Sequence, residues 1–300
     1  MAADSTLCRR CHAQGPASLP VGSVFLYLIT ESVVKSSLHV AAALALSTGL
    51  LASSGAMAQD AQSTQPAHAP VKNIVLVHGA WVDGSGWKPV YDILTKDGYH
   101  VSLVQEPLTS LDDDVAATKR VLDLQHGPTI LVGHSYGGSV ITEAGVHPDV
   151  VGLVYVAAHA PNVGEDEAAL GKGMPSYTSK QPGAVEKTDD GYTYLNPSVF
   201  PKDFAADLPL KQAQFEANGQ MLTAAKVFSE PLSAAAWTTK PSWGIVAGAD
   251  EIINPNLERW YYERAHSHTT VIPGASHSVY ESRPQQVAAV IEEAAKHAEQ

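Results

Sequence analysis

Gly133-His134-Ser135-Tyr136-Gly137 sets a serine between two glycines, at the point where the apolar run TILV gives way to the helical pattern SVITEA. Neither strand nor helix favours glycine in its interior. The combination suits a nucleophile elbow, in which the serine stands on a sharp strand-to-helix turn with its Oγ lifted clear of the sheet. Side chains two residues before and two after would crowd that turn, so glycine stands at both positions. The helix that follows aims N–H groups at the serine and favours negative charge there. A tight turn with a capping serine would use the same residue types, so the partners decide.

Serine is a weak nucleophile until a base takes its proton, and a histidine oriented by a carboxylate is the usual solution. The expected chain order is serine, acid, histidine. Thirteen histidines compete. His277, in GASHSVYESRP, follows the last predicted strand and hangs over the same sheet edge as Ser135. His266 and His268 flank the wrong end of that strand, and His126 and His147 end helices. His159 ends a strand and is expected to line the pocket. Asp250 closes the strand GIVAGAD, where its carboxylate can reach His277; a helix cap is the competing role. Glu251 should point the other way. The oxyanion needs two preorganised donors. These are expected from the Tyr136 N–H and from the Ala80 N–H in the loop HGAW (78–81). His78 reads as a structural residue of that loop. Trp81 and Trp87 pack it, with Trp81 also a candidate wall of the acyl pocket.

The elements around these residues alternate. Apolar strands at 73–79, 100–107, 129–134, 150–160, 242–250 and 268–274 are separated by helical patterns at 87–96, 112–125, 138–146, 255–265 and 284–298. Such alternation predicts an α/β fold with a mostly parallel central sheet and helices on both faces. Residues 162–238 interrupt it. They contain a hairpin-like KTDDGYTYL (187–195) and a helical stretch at 210–228, and read as a lid over the carboxyl ends of the strands. Its Tyr177, Tyr192, Tyr194, Phe200, Phe204 and Phe228 form either an apolar pocket or simply the core of the insertion.

With VLVHGAWVDGSGW, GHSYGG, GAD and GASH in this order and spacing, the chain resembles the α/β-hydrolase superfamily over residues 71–298. Within it, LVHGA and SHSVYESRPQQVAAVIEEA are similar to the branch of plant methylesterases, hydroxynitrile lyases and bacterial esterases. The resemblance implies an α/β-hydrolase fold, Ser135 as nucleophile, Asp250 and His277 as its partners, and Ala80 with Tyr136 as oxyanion donors. It implies a small carboxylic ester as substrate, with no metal or organic cofactor. Perhydrolysis or cofactor-free haloperoxidase chemistry would use the same triad. A hydroxynitrile lyase would add a lysine near the catalytic histidine, but the nearby Lys240 lies at the beginning of its strand. A non-catalytic small-ligand-binding protein is the reading from another class.

The formal charge of −12 opposes nucleic-acid binding, which requires a basic face. Lys35 precedes a short apolar stretch ending in Ala56-Met57-Ala58, the pattern of a secretory signal peptide. The stretch is short of the roughly 20 apolar residues of a membrane span, so no stable membrane insertion is expected after cleavage. The expected organisation is therefore a signal peptide at 1–58 with an over-extended N-terminus, a flexible leader at 59–70 and one hydrolase domain at 71–300. The location is periplasmic or secreted. Cys8 and Cys11 in CRRCH fall in the removed segment, and no other cysteine exists.

Overall fold

The computed structural model describes residues 71–298. The expected signal peptide, leader and CRRCH motif lie outside the described residues. Strands β1 (Asn73–Val77), β2 (His100–Leu103), β3 (Thr129–His134) and β4 (Val150–Val156) are separated by helices α1 (Lys88–Lys96), α2 (Leu111–Leu122) and α3 (Gly137–Ala144). An insertion then carries α4 (Glu167–Gly173), β5 (Val185–Lys187), β6 (Tyr192–Leu195), α5 (Phe200–Asp203), α6 (Leu210–Asn218) and β7 (Thr223–Ala224). The series resumes with β8 (Ser242–Ala247), α7 (Pro255–Arg264), β9 (His268–Ile272), α8 (Val279–Ser282) and α9 (Pro284–His297).

The main sheet has the order β2-β1-β3-β4-β8-β9 and is parallel throughout. Burial on both faces explains why β3 is apolar rather than alternating. Successive side chains still divide between two cores. Ile130 and Val132 pack with Trp87, Leu94, Tyr280 and Ile291, under α1, α8 and α9. Leu131 packs with Val115, Val140, Leu257 and Tyr261, under α2, α3 and α7. The helix starts are chemically marked. Ser110 accepts the Asp113 N–H at 3.1 Å and three aspartates fill the first turn of α2, while Pro255 and Pro284 open α7 and α9.

The chain runs from β1 outward to β2, then returns to β3 on the other side of β1. The loops leaving β1 and β3 therefore diverge, which opens a crevice at their carboxyl ends. The inserted hairpin is present, with β7 added as a third, antiparallel strand.

Several expected elements are shorter than the apolar runs that suggested them. The strand expected at 100–107 stops at Leu103, because the Glu106 N–H turns to His78 Nε2 at 3.0 Å and Pro107 has no N–H. The run at 150–160 stops at Val156 because Ala157 adopts φ +45°. Tyr262 Oη there donates to the Ala158 carbonyl at 3.0 Å and accepts its N–H at 2.9 Å. The helix expected at 210–228 ends at Asn218, and a short 3-10 turn covers Ala225–Ser229. Between them, the Met221 and Ala224 N–H groups bond to the Trp81 and Leu108 carbonyls at 3.1 and 2.9 Å, which draws the segment out as β7. Among the described residues no helix is long and apolar enough to cross a membrane.

Replacing Tyr262 by Phe should leave a buried N–H and C=O unpaired. The expected loss is about 1–3 kcal/mol in urea denaturation with an unchanged m-value. An unchanged midpoint would show that the Ala158 backbone finds other partners.

Candidate active site

Ser135 adopts φ +55°, the strained conformation expected of an elbow. A Cβ on Gly133 would sit 2.4 Å from the Gly137 carbonyl oxygen, and one on Gly137 would sit 2.3 Å from the His78 oxygen. Both are backbone contacts that cannot give way, so the turn closes only with glycine at these positions. The Ser135 carbonyl accepts N–H groups from Gly138 and His159, at 2.9 and 3.2 Å.

Asp250 and His277 meet beyond the ends of β8 and β9. His277 Nδ1 lies 2.6 Å from Asp250 Oδ2, and both side chains are fully buried. The other carboxylate oxygen accepts N–H groups from Ile252 and Ile253, at 2.7 and 2.9 Å. With Nδ1–H donated to the carboxylate, Nε2 carries the lone pair; it is buried and has no hydrogen-bond partner among the described residues, Ser135 Oγ included. Glu258 lies behind Asp250 and accepts the Ala247 N–H at 3.0 Å. Burial, reinforced by the Asp250 charge, pushes its pKa well up and keeps it protonated.

His134, the variable residue of the G-x-S-x-G segment, joins the two halves of the site. Its Nε2 donates to the His277 carbonyl at 2.9 Å, and the two rings are 4.6 Å apart. Burial first, then His277, holds its pKa well below the ordinary histidine range. The neutral ring packs against Trp87, Tyr280 and Phe204. The insertion adds a second brace, since the Phe204 carbonyl accepts the Ser278 N–H at 3.0 Å and its ring meets His277 edge-on at 4.7 Å. Phe200 and Phe204 thus serve the core, and Tyr177 is exposed. Of the six inserted aromatics, only Phe228 lines the Ser135 cavity.

The Ala80 and Tyr136 N–H groups donate to no acceptor among the described residues. His78 Nδ1–H bonds the Gly79 carbonyl at 2.9 Å, a structural role. Trp81 is fixed from three sides: its N–H and Nε1–H donate to Thr223 and Thr193 at 3.0 and 3.2 Å, and its carbonyl accepts from Met221. Behind the loop, the Tyr136 hydroxyl donates to Asp114 at 2.8 Å, and burial raises the Asp114 pKa to about 6.

Ser135, Ala80, Trp81, His159, Phe228 and Glu167 line one cavity of about 180 Å³. It shares His159, Ala168, Ile252 and Ile253 with a neighbouring cavity of about 400 Å³. Lys240 is far from serving the histidine. Its Nζ donates to the His147 and Val150 carbonyls at 2.7 and 2.6 Å, at the opposite end of the sheet.

An α/β fold with a serine elbow at its strand switch defines a broad class, and comparison narrows it. The profile of the alpha/beta hydrolase family matches residues 74–290, and the chain belongs to that family. A carbendazim hydrolyzing esterase from Nocardioides sp. (strain SG-4G) is 34% identical over 125 residues, 36% of this chain and 51% of that protein. The chain thus matches about half the length of that curated relative. A pyrethroid hydrolase from Sphingobium faniae superposes with a TM-score of 0.62 at 22% identity, covering 76% of this chain and 98% of that one. A methylesterase from Arabidopsis gives 0.63 at 20% identity, covering 75% and 98%. These two likenesses concern the fold.

Glu167 is the ionisable lining residue that sequence reasoning did not single out. Burial raises its pKa from the ordinary 4.5 to about 8. Glu281 is likewise raised to about 8, and Glu106 and Glu258 well upward. A carboxyl whose pKa is raised on folding binds its proton more tightly in the native state. Its stabilising contribution is complete below about 4.5 and is lost as pH rises through the folded value. Above about pH 6.5, where unfolding no longer protonates the buried histidines His78, His134 and His159, the melting temperature should therefore fall toward about pH 9. In Glu167→Gln, which cannot ionise, the fall should be shallower; parallel curves for the two proteins would show that Glu167 titrates normally.

Proposed function

We propose that this protein hydrolyses a small carboxylic ester through an acyl-enzyme. Ser135 Oγ attacks the ester carbonyl while His277 Nε2 takes its proton, then returns it to the leaving alcohol. Water enters next, again activated by His277, and attacks the acyl group to release the acid and free serine. Asp250 keeps Nδ1–H in place and stabilises the imidazolium of each step. The Ala80 and Tyr136 N–H groups receive the negative charge of the tetrahedral intermediates. One observation carries this reading: the buried Asp250–His277 hydrogen bond, held against the elbow by His134, the residue preceding Ser135. Family membership and the ester-hydrolysing relative support it. Trp81, His159 and Phe228 form the pocket, and the 180 Å³ beside Ser135 suits the smaller part of the substrate.

A panel of p-nitrophenyl esters of rising acyl length tests the reading. Wild type should release a burst of nitrophenol before steady turnover. Ser135→Ala should lower kcat by about 10⁴-fold or more, and Asp250→Asn by about 10³–10⁴-fold. Turnover that survives in Ser135→Ala would reject the mechanism.

We also propose that the protein works outside the cytoplasm, periplasmic or secreted. Lys35, the apolar stretch and Ala56-Met57-Ala58 support export. N-terminal sequencing of exported protein should begin at Gln59. Intact precursor confined to the cytoplasm would overturn this proposal.

A further inference from the structure

Two polar groups in the wall of the Ser135 cavity are not used by the mechanism above. Glu167 opens α4 and is buried, at 6% exposed; His159 follows the end of β4. Ser139 donates to Glu167 Oε1 at 2.5 Å. The other oxygen, Oε2, lies 3.5 Å from His159 Nε2, too far for a good hydrogen bond. On the remote side of the imidazole, Nδ1 is 3.2 Å from the Tyr261 hydroxyl.

The protons follow from these neighbours. Burial raises the Tyr261 pKa and keeps its hydroxyl protonated. That hydroxyl has no other acceptor among the described residues, so satisfying its O–H requires it to donate to Nδ1, which assigns the imidazole proton to Nε2. Burial, and then His277, hold His159 neutral by lowering its pKa to about 3. Glu167, raised to about 8 chiefly by burial, is the neutral acid at pH 7, with Ser139 on Oε1 and its proton on Oε2. The other charged or titratable groups around it are Asp166 beside it, Tyr261 on α7, Tyr136 on the elbow and Glu106 beyond β2. None of them is a cation that would favour its ionised form.

Two neutral donors, 3.5 Å apart and on the same cavity wall as the nucleophile, thus lack an acceptor among the described residues. A carbonyl oxygen has two lone pairs and can accept from both. We infer that Glu167 Oε2–H and His159 Nε2–H form a paired-donor site for a second carbonyl oxygen of the substrate, distinct from the one Ser135 attacks. Preferred substrates are then esters carrying a further carbonyl a few bonds from the scissile one. This inference rests on the ester-hydrolase reading and adds its substrate class.

The test walks a ketone, carbon by carbon, along the acyl chain of p-nitrophenyl hexanoate and compares each ester with the unsubstituted one. At one position wild type should prefer the keto ester about tenfold in kcat/KM, mostly through KM. Glu167→Leu should bring that ratio to about one, whatever it does to either ester alone, and Glu167→Gln should keep part of it through its amide N–H. In wild type the preference should decay as pH rises through about 8, and in Glu167→Gln it should not. The wild-type pH profile stands even where a variant fails to fold. Absence of preference at every keto position, a preference persisting in Glu167→Leu, or one independent of pH overturns the inference while leaving ester hydrolysis intact. Equal activity in Ser135→Ala, or no ester hydrolysis at all, removes the underlying reading and this inference with it.

Discussion

Asp250 carries its carboxylate where water cannot follow, at 4% exposed. An ion withdrawn from water must be met by donors, and the local chain is arranged to supply them. The turn after β8 aims two N–H groups at one oxygen, and the loop after β9 brings His277 to the other. That second loop is held from two directions, by the His134 ring and by the Phe204 carbonyl. Solvating one buried carboxylate therefore fixes the ends of β8 and β9, the residue before Ser135 and part of the insertion relative to one another.

The same interior avoids a second charge nearby. Glu258 stays protonated behind Asp250, and Glu106 and Glu167 stay protonated around the elbow. Neutral histidines complete the pattern, with His134 and His159 both shifted down by burial. A medium with few fixed charges leaves the Asp250–His277 pair largely unscreened. It also favours electrostatic stabilisation of charge that appears only during reaction.

The sheet, its helices and the Ser135 turn could be read from the chain because each obeys a local rule. β1 and β3 carry the unbroken apolar runs Ile74–Val77 and Ile130–Val132, and a strained serine demands glycine at Gly133 and Gly137. Asp250 and His277 could be located because both follow strand ends on the same edge of a parallel sheet. What escaped depends on distant partners. Glu167 lies in a first helical turn, where an acid is ordinary, and only the packing of α3 and the β4 end against it makes it unusual. His134 occupies a position that the elbow pattern leaves free. β7 is two residues long and exists because the Trp81 and Leu108 carbonyls bind its flanks. The strand ends overshot wherever an apolar run continued through a backbone reversal, as at Ala157.

The three hydrogen bonds that fix Trp81 all come from the insertion, through Thr193, Met221 and Thr223. Trp81 directly follows Ala80 and has φ +67°, a conformation that a tryptophan holds only when its surroundings impose it. The insertion is thus part of the scaffold beneath the chemistry as well as a cover over it. Such a segment cannot be exchanged as an independent module. A graft from another member of the fold that matched its outline but lacked these two threonines would leave the tryptophan loop without its template, however well it enclosed the cavity.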